Sequence, residues 1–234
     1  VVRSILQAAT PLDILIKRVV SNPDSMTLQA AVADAARQGP KRYHGWMSAP
    51  SDRSGDSEFE SLRAQIWHQL VHATGRREHE WRTPVLASVD ADGLPQARTV
   101  VLRQADPIAG MLQIYTDSRS PKVAELLGHP DAVLVFWSRS LSWQLRARVT
   151  VQVQSDGDLV EAAWEEVSRT AAAADYLAPA APGSVFSLAA QGNHRTHHLA
   201  VLLARIEALD WLELSRDGHR RVRFDESGAC RLIP

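Results

Sequence analysis

The chain has 234 residues, 45% of them hydrophobic, with 26 Lys and Arg set against 27 Asp and Glu. That size and apolar content suit a buried core of ordinary domain dimensions, and the even charge argues against a protein that coats nucleic acid. One cysteine, Cys230, excludes an intramolecular disulfide framework and a cysteine-based metal cluster and suits a reducing, cytoplasmic setting, while no run of eighteen apolar residues predicts a helical membrane span.

The chain starts at Val1 without a methionine, so its true beginning stays open, Met26 included. Ile5, Leu12, Ile14, Leu15, Val19 and Val20, interrupted by Thr10-Pro11, predict two short helices and lack the layout of a secretory signal. Thr27 to Gln38 is an Ala-rich helix pattern, capped by Thr27 and ended by Gly39-Pro40. Residues 1–50 therefore read as a helical N-terminal extension or arm. The polar Gly/Pro/Ser-rich stretch at 48–57 marks a boundary before a second domain at 57–234. From Ser57, Phe59, Leu62, Ile66 and Leu70 recur at helical spacing and predict an amphipathic helix. His68 and His72 on it have a spacing that could bind a metal, but no third ligand accompanies them, and solvated or capping histidines are the plainer reading.

Asp92-Gly93 predicts a hairpin turn between strand-like runs at Pro84 to Asp90 and Pro95 to Arg103. Leu112 to Thr116 reads as a third strand, and Ser120-Pro121-Lys122 as a helix start with Ser at the N-cap and Pro at the first helical position. Arg119 and Lys122 on that turn, beside the free N–H groups of a helix N-terminus, would suit a phosphate. A solvated turn with incidental charges is the alternative. Arg98 and Arg103, five apart on one strand, should face opposite ways unless a bulge intervenes.

Ala132 to Trp137 and Leu141 to Gln154 are strand-like. Alternation in the second puts Gln144, Arg146 and Arg148 on one face, which must meet ligand, solvent or a partner. Asp156 to Ala174 reads as a helix with Leu159, Ala163, Trp164 and Val167 inward, broken by Pro179, Pro182 and Gly183. The turn Gln191 to His198 carries three histidines but no acidic or cysteine neighbour to complete a metal cage, so a surface or ligand-edge loop is expected. Leu199 to Arg205, Leu209 to Leu214 and Arg221 to Phe224 complete the strands, with Asp217-Gly218 as a second hairpin turn.

Several of these residues in order resemble the FMN-binding signature of the pyridoxamine 5'-phosphate oxidase-like split-barrel family. Arg98-Thr99-Val100-Val101-Leu102-Arg103 is similar to its Arg-x-Val-x-Leu-(Lys/Arg), Tyr115-Thr116-Asp117 to its Tyr-Thr-(Asn/Asp), and Ser120-Pro121-Lys122 to its Ser-x-Lys. Phe136-Trp137 and Gln144, then Trp211, His219 and Arg221, and the closing Arg231-Leu232-Ile233-Pro234 continue the likeness over roughly Arg82 to Pro234.

The resemblance implies a mainly β fold, a split β-barrel with flanking helices, that binds FMN. It implies a flavin phosphate held by Arg98, Lys122, Arg119 and Ser120, with Pro121 where the family usually has an arginine. It also implies a ring slot along Thr99 to Arg103 beside Tyr115 and Thr116, with Gln144, Trp211 and Arg221 at the ring edge. The activity implied is oxidoreductase chemistry, a hydride moving between flavin N5 and a small substrate that His219 would contact. A homodimer with FMN at the subunit interface is implied too. Departures exist: Asp217 stands where the family has a cation, Arg103 replaces a lysine, and Ser168-Arg169 lacks the tyrosine expected before it. An efficient pyridoxine 5'-phosphate oxidase is therefore not expected. Use of deazaflavin F420 on the same fold, or a non-catalytic flavin or haem carrier or sensor, are the alternatives.

Overall fold

The computed structural model describes residues 53–185 and 196–234. The helices expected within residues 1–50 and most of the histidine turn fall outside the described residues, so the division of the chain near residues 48–57 rests on sequence alone. The first helix, α1 (Arg53–Gly75), begins four residues before Ser57. Its apolar stripe works as the spacing requires: Ile66 and Leu70 are fully buried, and Phe59 and Leu62 pack beside them. Each fully buried aliphatic side chain contributes about 1.5–3 kcal/mol.

A 3-10 turn (Glu80–Arg82) leads into strands β1 (Val85–Val89) and β2 (Pro95–Thr99). Their hairpin is organised by Asp90, whose carboxylate accepts from the N–H groups of Asp92 and Leu94, while Gly93 takes φ 80° at the turn. The run expected as one strand from Pro95 to Arg103 is in fact two: β2 ends at Thr99, and β3 (Leu102–Asp106) starts after Val100-Val101. Val100 is buried there, its N–H bonded to the Pro84 carbonyl. Next come β4 (Met111–Asp117), α2 (Pro121–Gly128), β5 (Asp131–Ser138) and β6 (Trp143–Gln154).

The stretch expected as one helix from Asp156 to Ala174 divides into α3 (Asp158–Val167) and a single turn, α4 (Ala173–Tyr176). Its buried positions are Val160, Ala163 and Val167, so the helix is rotated and Leu159 is exposed. β7 (Leu199–Glu213) is one strand where two were expected, because a bulge at Glu207 shifts the alternation rather than ending the strand. β8 (Arg220–Asp225) and β9 (Gly228–Leu232), the latter unforeseen, finish the chain.

All nine strands join one antiparallel sheet in the order β2-β1-β5-β6-β7-β4-β3, with β8 and β9 branching from β7. This corrects the expectation of a barrel, because the sheet is open. β2 and β3 are its two ends and share no ladder, although only Val100-Val101 links them in the chain. β7 causes the fork: its first half pairs with β4, its last five residues with β8, and nearly its whole length with β6. The fold is a mixed α/β one, a curled, forked sheet whose concave side is filled by residues such as Leu86, Leu102, Phe136, Leu145 and Trp211 with α1 packed on them. A second, smaller cluster joins Tyr115, Tyr176 and the α3 residues on the other side.

Candidate functional site

The turn from β4 into α2 gathers three of the expected groups. Thr116 and Ser120 are buried with their hydroxyls 3.2 Å apart, and the Lys122 ammonium donates to both at 3.1 Å. Among the described residues no carboxylate comes within ion-pair distance of Lys122. Burial pushes its pKa below the ordinary lysine value, and the nearby Arg98 cation adds to the effect. Ser120 occupies the N-cap of α2 but makes no side-chain cap bond, and Pro121 fills the first turn. An ammonium held by neutral hydroxyls at the positive end of a helix is a place where an anion relieves the electrostatics.

Arg98 points into the concave side of the sheet, like its cross-strand partner Leu86. It is already engaged: Nη2 lies 2.7 Å from Glu125 Oε2 on α2, and Nη1 donates to the Ser88 hydroxyl, which itself donates to Glu125 at 2.6 Å. Neither Ser88 nor Glu125 stood out in the sequence, since a glutamate on an amphipathic helix reads as solvent-facing. Arg119 is more heavily committed. Its Nε and Nη2 grip buried Asp117 at 3.0 and 2.7 Å, and Nη1 and Nη2 donate to the carbonyls of Pro179 and Ala178 at 3.2 and 2.9 Å.

Arg103 is the extra residue of a bulge between β3 and β4, and because Arg98 lies on β2 the two arginines do not share one strand, contrary to expectation. Its guanidinium lies 5.5 Å from the Tyr115 ring centre, and its buried Nε finds no partner among the described residues. Burial pushes the Tyr115 hydroxyl up to about 12 and raises that of Tyr176, with the Arg103 cation opposing the rise in both. Tyr176 was missed because it sits in an Ala-rich stretch beyond Ser168-Arg169, where the tyrosine was sought. Along the linking corner, Thr99 is exposed, Val101 half-buried, and Val100 and Leu102 buried.

A second cluster forms at the far end of β7. Gln144, Leu212 and Arg221 lie side by side on the convex face, next to the row of Arg146 and Asp210. Arg221 pairs bidentately with Asp210 at 2.9 and 2.7 Å, and Arg146 approaches the same carboxylate at 3.6 Å. Trp211 points the other way into the core, 1% exposed, with no partner for its Nε1 among the described residues and with Arg220 over its ring. His219 is exposed in the β7–β8 turn and accepts from the Ser215 N–H through Nδ1. A cavity of about 340 Å³ between α1 and the C-terminal strands is lined by Trp211, His219 and Arg221 but by no residue of the Lys122 cluster. Ala200, the partner of Thr116, lies eleven residues before Trp211 on β7. That is about 36 Å of strand contour.

Among the described residues no group of three or more His, Cys, Asp or Glu is arranged to hold a metal. His68 and His72 lie with tilted rings, centres 3.9 Å apart, and the neighbouring His68 is the first cause that lowers the His72 pKa. His197 stacks on Trp164 at 4.4 Å and faces Glu161.

Residues 64–155 match the family model described as pyridoxamine 5'-phosphate oxidase, FMN-binding domain. That span holds the Lys122 cluster and Gln144 but not Trp211, His219 or Arg221. A pyridoxine/pyridoxamine 5'-phosphate oxidase of Microcystis aeruginosa is 35% identical over 103 residues, which cover 42% of this chain and 46% of that protein. The chain thus matches less than half the length of that curated relative. Two solved structures share the fold. A pyridoxamine 5'-phosphate oxidase-related, FMN binding protein from Nostoc punctiforme PCC 73102 superposes with a TM-score of 0.60 at 21% identity, covering 80% of this chain and all of that one. PhzG from Burkholderia lata 383, solved with tetrahydrophenazine-1-carboxylic acid, gives 0.59 at 18% identity over 81% of this chain and all of its own.

Proposed function

Because this chain belongs to the pyridoxamine 5'-phosphate oxidase-like, FMN-binding family, we propose that it is an FMN-dependent oxidoreductase acting on a small molecule. The observation that carries this reading is Lys122, a half-buried ammonium whose only hydrogen-bond partners among the described residues are the Thr116 and Ser120 hydroxyls beside the start of α2. These residues fit a terminal phosphate: two hydroxyls can turn to donate, the ammonium supplies charge, and the helix start supplies N–H groups. Arg98 adds a second cation at the mouth, held ready by Glu125. Arg119 is left out of the phosphate shell, since Asp117 and backbone carbonyls occupy four of its donors.

Val100, Val101 and Leu102 offer the apolar wall that a flavin ring needs. FMN, when bound, supplies two-electron chemistry at its N5. This chain's residues bind and orient the cofactor and exclude water; His219, exposed at the cavity mouth, is the candidate substrate contact.

Gln144 and Arg221 are assigned to the same proposed site but pair alongside the far end of β7, so the reading requires a homodimer in which one chain supplies the phosphate cradle and its partner the C-terminal cluster; Trp211, turned into the core, is left out of that surface. A two-fold arrangement builds two such sites. The convex face also carries Trp137, 46% exposed beside Gln144, which a partner chain would cover. The test of the activity class is the absorption spectrum and the mass of whatever co-purifies, followed by anaerobic reduction and reoxidation. An FMN mass, a flavin spectrum and turnover with an organic substrate, oxygen or a nicotinamide donor are expected. A deazaflavin or haem in its place, or a flavin that never turns over, would contradict the proposal.

A further inference from the structure

Residues 177–185 have no helix or strand, yet the first five are half-buried, so they lie against something. What they lie against is the start of α2. Arg119 reaches across to the carbonyls of Ala178 and Pro179, with Ala180 at 3.5 Å, while its other edge is fixed by Asp117, 5% exposed at the end of β4. Farther along, Gly183 adopts φ +84° and packs so closely that a Cβ there would stand 3.3 Å from Pro121, the first residue of the helix. The same turn is tied from a third side, since Ser118 N–H bonds to the His198 carbonyl and His198 N–H to that of Tyr176. A guanidinium is suited to this: its fork fills a bidentate carboxylate on one side and still has donors for carbonyls on the other.

We infer that Arg119 is a positioning residue, a latch that holds the 177–185 segment as a strap across the N-terminus of α2 and so retains the anionic group bound by Lys122 and Ser120. The inference rests on the proposed reading of that cradle as a phosphate site. Arg119 acts through the strap and touches no ligand. Losing it should change how long a phosphorylated ligand stays, and leave alone a ligand with no phosphate. Riboflavin is FMN without the phosphate, which makes the pair a matched probe.

Two variants of the full-length protein separate the possibilities. Arg119→Ala removes the latch, and Gly183→Ala strains the strap where it meets Pro121 without touching Arg119. Limited proteolysis of the ligand-free proteins, read by mass, should show cleavage within 177–185 at least tenfold faster in both variants. Release of FMN, followed by recovery of flavin fluorescence on dilution, should also be at least tenfold faster, with riboflavin release unchanged within about twofold. Arg119→Lys, which keeps the charge but not the fork, should behave like Arg119→Ala. Unchanged cleavage in both variants would overturn the latch. Faster cleavage with unchanged FMN release, or equal acceleration of FMN and riboflavin, would overturn the retention role. A wild-type chain that binds no FMN would instead refute the cradle reading and with it the retention role, leaving proteolysis to decide whether the latch exists.

Discussion

Arg98 on β2 and Glu125 on α2 are 2.7 Å apart, and the carboxylate side chain is only 9% exposed. Sheet edge and helix are therefore pinned together by the same guanidinium that is proposed to meet the ligand. Removing Arg98 leaves Glu125 and Ser88 with a largely buried carboxylate and no cation, a loss of about 1–3 kcal/mol. Arg98→Ala should lower the melting temperature as well as weaken FMN binding, and the double variant Arg98→Ala/Glu125→Ala should recover part of the stability but not the binding. Thermal unfolding beside an FMN titration reads both; a single variant as stable as wild type would show that the pair holds nothing together.

Shared sites make a distinct prediction about mixtures. If one chain provides Lys122 and its partner Arg221, heterodimers of Lys122→Ala and Arg221→Ala chains hold one intact and one doubly damaged site, so mixing should restore, at one site of each heterodimer, the wild-type FMN affinity that neither variant shows alone. Sedimentation of the loaded protein should report a dimer, and FMN should stabilise it by mass action. Mixtures that exchange subunits yet regain nothing, or a loaded monomer, would mean that each site lies within one chain.

The acid side of the stability profile should depend on Glu80. Its carboxylate accepts from the hydroxyls of Ser138 and Ser140 and from two backbone N–H groups of the β5–β6 turn, which holds its pKa down to about 2. A depressed carboxyl contributes its stability in full above its unfolded pKa, near 4.5, and loses it as pH falls toward 2. The melting-temperature gap between wild type and Glu80→Gln should thus be widest above pH 5 and shrink between about pH 4.5 and 2. A gap independent of pH over that window would remove the carboxylate from the account.

Much of the local structure was legible because its signals are local. Asp92-Gly93 and Ser120-Pro121-Lys122 carry their conformations within a few residues, and the turn and helix start stand where they predict. The split at Val100-Val101 was not legible, because whether a run stays on one strand or crosses to the other edge is decided by distant pairing partners. The bulge at Glu207 reset alternation and so disguised one strand as two. Glu125 and Tyr176 escaped for a related reason: their meaning comes from what folds against them, Arg98 in one case and Arg103 in the other.

Pyridoxine 5'-phosphate should be a poor substrate. Asp217 puts an anion in the turn that carries His219, where the resemblance expects a cation, and Arg103 is turned against Tyr115 and Tyr176. Like charges near a phosphorylated pyridine weaken its binding. Steady-state assays should give kcat/KM below about 10⁴ M⁻¹s⁻¹. A value at or above that level would make this chain an ordinary member on its substrate side.

The assignment of Lys122 to the flavin phosphate is the point on which the account turns, and a paired titration tests it most directly. FMN and riboflavin are each titrated into wild type and Lys122→Ala, with binding read by flavin fluorescence. A charge-assisted phosphate contact is worth about 1.5–3 kcal/mol, so wild type should prefer FMN by roughly ten- to a hundredfold, and the variant should lose that margin with its riboflavin affinity and fold unchanged. Equal affinity of wild type for the two flavins, or a preference that survives in Lys122→Ala, would contradict it.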